Sequence, residues 1–159
     1  MRIIDGYNVI GAAAAFGLDL SQPDKEERLV RLLARFRSRR RSRAAMLVVF
    51  DGHHGRLAAG PRRYSHLGID VEYALGETAD AVIARKVRAA SRARELEVVT
   101  SDRSVLRAVE NAGAKGTRSP AFLAEVSRAL AEAPEAEKPE APGPADVAEW
   151  LERFGDGRR

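Results

Sequence analysis

Residues 46–52 read Met-Leu-Val-Val-Phe-Asp-Gly. Five apolar residues follow one another without polar alternation and stop at an Asp-Gly turn pair, the pattern of a strand covered on both faces. The same pattern recurs at Ile3-Ile4 before Asp5, and from Leu96 to Thr100 before Ser101-Asp102. Ile69 to Ala74 is a fourth run. Strands buried on both faces belong to parallel sheets, whose crossovers are helices. The expected fold is therefore α/β, a mostly parallel central sheet with helices on both faces.

The segments between the runs carry helical periodicity. Asp24 followed by Glu27 resembles a capping box, and Leu29, Leu32, Leu33 and Phe36 then form one apolar stripe. A second helix is expected from about Thr78 to Ala90, with Ile83 and Val87 inward. A third follows Asp102, uses Val105, Leu106 and Val109, and stops at Gly113. A short strand from Ala114 to Thr117 leads to Ser119-Pro120, expected as N-cap and first helical residue of a fourth helix through Leu130.

These elements make residues 1–131 one domain. Residues 132–145 form a linker holding four of the seven prolines, with alanine and acids between. In 146–159, Val147, Trp150, Leu151 and Phe154 have the spacing of an amphipathic helix. It either binds a partner or docks on the domain, and docking is expected because a Trp and a Phe left in water would be an unusual patch.

Composition narrows the chemistry. Without cysteine there is no disulfide framework and no thiolate metal site. No run approaches the roughly 18 apolar residues of a membrane span, and the N-terminus lacks the apolar core of a signal peptide, so a cytoplasmic protein is expected. Neither the Rossmann nor the P-loop glycine pattern occurs. Net charge is +4 but unevenly spread: Lys25 to Arg63 holds 12 basic and 3 acidic residues, Glu132 to Asp156 holds 8 acidic and 2 basic. The basic stretch, nearly all arginine, suggests a polyanion-binding face, with Arg28, Arg31, Arg35, Arg39, Arg40, Arg62 and Arg63 as its expected contacts.

Ligands of open parallel sheets bind beyond the carboxyl ends of the strands, and three such ends carry Asp5, Asp51 and Asp102. Asp80 heads the second helix on its sheet-facing stripe, with Glu77 three residues earlier. Each alone is an ordinary turn or cap residue. Together they repel: two carboxylates ~4 Å apart lose about 4 kcal/mol at an effective dielectric near 20. Converging carboxylates need protons or a divalent cation, and an all-oxygen set favours Mg²⁺ or Mn²⁺ over zinc. Such a site beside an arginine-rich helix suits phosphodiester cleavage. An aspartyl phosphotransferase fits less well, since Tyr7 stands where its second acid would be.

The stretches IIDGYNVIG (3–11), VVFDG (48–52), ETADAVI (77–83) and VVTSD (98–102), in this order, resemble the NYN branch of the PIN-like nuclease superfamily, specifically the YacP-like bacterial proteins. Among these are endoribonucleases that cleave mRNA on the translating ribosome. The resemblance covers about residues 1 to 130. It implies Asp5, Asp80 and Asp102 as catalytic metal ligands, with Asp51 and Glu77 as further ligands, Glu77 through water. Asn8 would orient a carboxylate or a substrate phosphate, and Ser101 would support the cluster from behind. It implies a metal-dependent endoribonuclease acting on RNA, with a ribosome as possible partner; the alternative is a catalytically silent RNA- or ribosome-binding module of the same fold. His53 and His54 beside Asp51, and the segment Arg56 to His66 as an RNA-entry loop, extend the expected site. Oligomeric state is not legible.

Overall fold

The structure, a computed structural model, describes residues 1–41, 44–52 and 62–132. Six strands form one sheet: β1 (Arg2–Asp5), β2 (Met46–Asp51), β3 (Arg63–His66), β4 (Ile69–Ala74), β5 (Glu97–Val99) and β6 (Lys115–Thr117), in the order β3-β4-β2-β1-β5-β6. All neighbours are parallel except the β3–β4 pair at one edge. Register places Asp5 beside Val49 and Ile4 beside Val99, so the strand ends lie along one edge of the sheet. The expected α/β architecture is what forms.

Helices α1 (Gly6–Ala12), α2 (Lys25–Arg39) and α5 (Ser119–Ala131) cover one face, where Phe36, Phe50 and Phe122 are fully buried. Phe36 and Phe122 meet edge-on with ring centres 5.7 Å apart. Helices α3 (Ala79–Ala89) and α4 (Arg103–Asn111) cover the other face through Val82, Ile83, Val87, Val105 and Val109.

Four details differ from the sequence expectation. Helix α1 was not expected. Its seven residues include Gly6 and Gly11, poor helix formers, and it forms because Asp5 caps it and Val9 and Ile10 bury against the sheet. Gly6 is obligatory there, since a Cβ would overlap the Phe50 ring. Residues 63–66, expected as loop, form β3. All four are exposed, so no alternation marks them, and the turn into β4 puts Leu67 and Gly68 at φ 53° and 75°, a hairpin geometry usually signalled by Asn-Gly.

The capping box at Asp24 does not form. A turn from Gln22 leads into α2, leaving Asp24 without the extended backbone that a capping side chain needs, and it makes no cap bond. Ser119 is the first helical residue of α5 rather than its N-cap, which is Arg118. Its hydroxyl is drawn to Asn8 instead.

Residues 53–61 and 133–159 lie outside the described residues. His53, His54, the first part of the expected entry loop, nearly all of the linker and the whole C-terminal segment therefore carry no structural statement. No helix among the described residues is long and apolar enough to cross a membrane.

Candidate active site at the carboxyl edge of the sheet

The chain leaves β1 into α1 on one face and leaves the adjacent β5 into α4 on the other. A crevice opens where neighbouring strands send their chains to opposite faces, and ligands of this fold class sit there. Asp5 stands at that point, 7% exposed. Its Oδ1 accepts the Asn8 backbone N–H at 3.3 Å and its Oδ2 accepts the Thr100 hydroxyl at 2.9 Å. Burial, together with the charges of Asp80 and Asp51, pushes its carboxyl up to about 6, against the lowering by those two hydrogen bonds.

Asp51, two residues beyond the register partner of Asp5, accepts the Ala79 backbone N–H at 2.7 Å. Thr78 adds a second cap by accepting from Ala81 at 3.2 Å. The start of α3 is thereby tied to the end of β2, which brings Asp80, the next residue, to the crevice. Burial and then the charges of Asp102 and Asp51 hold the Asp80 carboxyl above its ordinary range.

Asp102 caps α4: its Oδ1 accepts the N–H groups of Ser104 and Val105 at 2.7 and 3.1 Å and the Ser104 hydroxyl at 2.6 Å. The Ser104 hydroxyl and these N–H groups hold it below the usual carboxylate range.

Asp5, Asp51, Asp80 and Asp102 thus share one electrostatic neighbourhood in which Asp80 feels Asp51 and Asp102 and is felt by Asp5. Asp5, Asp51 and Asp102 each accept from a helix N-terminus, whose partial positive charge offsets part of the repulsion. Among the described residues, no three acidic side chains stand close enough to hold one ion by themselves. The donor set suits a hard cation bound by one or two carboxylates and otherwise by water, the habit of Mg²⁺.

Asn8 is locked. Its Oδ1 accepts the Ser101 N–H at 2.8 Å and the Ser119 hydroxyl at 2.7 Å, which assigns the amide orientation and leaves Nδ2 free of any partner among the described residues. Ser101 therefore reaches the site through its backbone. Sequence reading missed Thr100 and Ser119. Thr100 is fully buried, and its oxygen also accepts the Asp102 N–H at 3.2 Å, linking two site acids.

Glu77 is engaged elsewhere. Both its oxygens take Arg85, and Oε1 also lies 3.4 Å from Arg62, so these arginines hold its carboxyl low. Tyr7 packs its ring 5.1 Å from Phe50 and donates to Glu26 Oε1 at 2.5 Å, while Tyr73 donates to Oε2 at 2.6 Å.

The arginines are dispersed. Helix α2 starts at the site edge, where Glu26 meets Tyr7, and runs about 22 Å down the sheet. Just past its end, Arg40 lies 3.4 Å from Glu125, which also pairs with Arg2 at the start of β1. Arg39 and Arg40 are thus at the edge opposite the acids. Arg28 donates to the Gly17 carbonyl and Arg31 pairs with Glu27. Arg62 and Arg63, 3.8 Å from Glu72, stand beside the carboxyl end of β4.

A mostly parallel sheet with carboxylates gathered at its switch point is the architecture of the PIN-like nuclease class. A family model described as the YacP-like NYN domain matches residues 2–149, and the chain belongs to that family. It is similar to the crystal structure of Rae1 (YacP) from Bacillus subtilis, with 29% identity over 81% of this chain and 74% of that one and a TM-score of 0.62. A point mutant of the same protein aligns over 99% of this chain and 84% of its own at 21% identity, TM-score 0.61, a likeness of fold. No curated protein matches the chain.

Proposed function

We propose that this protein is a divalent-metal-dependent endoribonuclease that hydrolyses phosphodiester bonds in RNA, with mRNA as substrate and the translating ribosome as its setting. One observation carries the reading: Asp5 is buried, its proton held up to about 6, in the combined field of Asp51 and Asp80. Isolated carboxylates are not buried together without a compensating cation or proton.

In this reading Asp5, Asp80 and Asp102 would surround Mg²⁺ or Mn²⁺, one or two of them binding it directly and the rest through water, with Asp51 positioning α3 as well as adding charge. The bound ion would supply Lewis acidity and counter-charge to an in-line displacement at phosphorus. Thr100 keeps the Asp5 carboxylate aimed into the crevice. Asn8 turns its Nδ2 protons toward a phosphate oxygen. Glu77 would have to release Arg85 and Arg62 to reach an ion through water, so it stands outside the essential set. Arg62 and Arg63 are placed to hold the RNA backbone on approach.

The test compares free mRNA with translating ribosomes as substrate, with Mg²⁺, with Mn²⁺ and with chelator. Wild-type chain should cleave with either metal, and Asp80→Asn should not. Cleavage that persists in chelator, or undiminished metal-dependent cleavage by Asp80→Asn, would overturn these roles. RNA binding without cleavage under every condition would leave the silent binding module.

A further inference from the structure

A row of aromatic rings crosses one face of the sheet, from its β3 edge to the helix that Asp5 caps. Tyr64 of β3 stacks on Tyr73 of β4, with ring centres 6.4 Å and planes 29° apart. Tyr73 stacks on Phe50 of β2 at 5.7 Å, and Phe50 meets Tyr7 of α1 at 5.1 Å. Phe50 is fully buried, while Tyr7 and Tyr73 are half-buried with their hydroxyls tied to Glu26. The row ends at Tyr64, which is 37% exposed.

We propose that Tyr64 is a stacking platform for an unpaired base of the RNA, with Arg62 and Arg63 holding the backbone as it crosses the sheet edge. The inference rests on the reading of this chain as one that acts on RNA. Tyr73 is fixed by Glu26, by Phe50 and by its own N–H on the Arg62 carbonyl, so Tyr64 lies against an immobile ring. A platform ordered before the ligand arrives costs little entropy on binding. Beside it the Arg62 and Arg63 side chains are 49% and 61% exposed. An exposed ring face next to exposed cations is the composition of single-strand sites, whereas cations alone would take a duplex as readily.

The reach to the acids also fits. In the sheet register Tyr64 stands across from Val71, Val48 and Ile4, the residue before Asp5. Those strand spacings put it roughly 14 Å from that end of β1. Stacking sites for single strands cover roughly 4–16 nucleotides, so one strand spans both the platform and the crevice.

The test reads binding alone. Affinity for a labelled single-stranded RNA is measured by fluorescence anisotropy in chelator, with the intact oligonucleotide and with a single abasic site moved along it. Tyr64→Leu keeps an apolar group on Tyr73 but removes the stacking face. It should weaken binding of intact RNA about five- to a hundredfold, at unchanged far-UV circular dichroism and an unchanged salt slope. Tyr64→Phe should bind as the wild-type chain does. One abasic position should weaken the wild-type chain by the same factor and leave Tyr64→Leu unaffected. Should Tyr64→Leu not fold, photocross-linking of iodouridine-substituted RNA to the wild-type chain must map to Tyr64.

Equal affinity of the Tyr64→Leu and wild-type chains would overturn the inference, as would cross-links that avoid Tyr64, or a Tyr64→Leu loss that persists at every abasic position. Each of these leaves metal-dependent cleavage standing. Tyr64-dependent binding by a chain that cleaves under no metal would do the reverse, supporting the platform and sinking the nuclease.

Discussion

Asp5 carries opposing demands. The sheet and α1 bury it, and a buried carboxylate resists ionisation. The unfolded chain releases this proton near 3.8 and the folded chain near 6, so between those pH values folding takes up a proton. Above about pH 6 the folded state holds a charge that costs about 3 kcal/mol relative to its protonated form. That cost fades as pH falls from 6 towards 3.8. Asp5→Asn in metal-free protein should therefore raise the melting temperature by several degrees at pH 8 and hardly at all at pH 4, while abolishing cleavage. A lower melting temperature at pH 8 would refute the burial account. Thr100→Val should cost about 1–3 kcal/mol, because it strands the Asp102 N–H and removes the donor to Asp5. It should also lower kcat, measured with saturating RNA.

At the scale of elements, the site is assembled by helix starts. Asp51 matters less as a charge than as the cap that brings α3, and with it Asp80, to the crevice. Asp51→Ala should cost about 1 kcal/mol of stability in urea titration, a typical capping loss, and reduce cleavage because Asp80 loses its anchor. Asp51→Asn, which can still accept from Ala79, should retain the stability. Equal stability of the Ala and wild-type chains would show that the cap contributes nothing.

The strands that lead to Asp5, Asp51 and Asp102 were legible because their runs are apolar on both faces and stop at turn residues. Helix α1 was not, since it forms through the Asp5 cap and the burial of Val9 and Ile10 despite two glycines. Strand β3 was not, since an exposed edge strand that the chain leaves through Leu67 in a left-handed turn has no pattern. Thr100 and Ser119 stayed hidden for another reason. Their partners Asp5 and Asn8 lie 95 and 111 residues away, and no local spacing encodes such pairs. The expectation of Asp80 and Asn8 at the site rested on the family motifs more than on periodicity.

For the whole molecule, charge is arranged by edge. Acids occupy the carboxyl edge, Arg62 and Arg63 stand beside them, and Arg40 with Arg2 is tied into ion pairs with Glu125 at the far edge. The sequence suggested one continuous arginine face, but a helix antiparallel to the strands spreads its residues over the full depth of the sheet. RNA affinity should therefore depend on Arg62 and Arg63. Replacing both with Ala should lower the slope of log affinity against log salt by about 1.4, two contacts on single-stranded RNA. An unchanged slope would place the RNA elsewhere.

The central claim is that Asp5, Asp80 and Asp102 act as one seat for a hard cation. Mn²⁺ titration of the purified chain at pH 8, with free Mn²⁺ read by electron paramagnetic resonance, tests it most directly. Saturable binding in the wild-type chain, weakened about tenfold or more (roughly 1.4 kcal/mol) in both Asp5→Asn and Asp80→Asn, is the predicted result. Wild-type and Asp80→Asn chains that bind Mn²⁺ equally, or a wild-type chain that binds none, would contradict it.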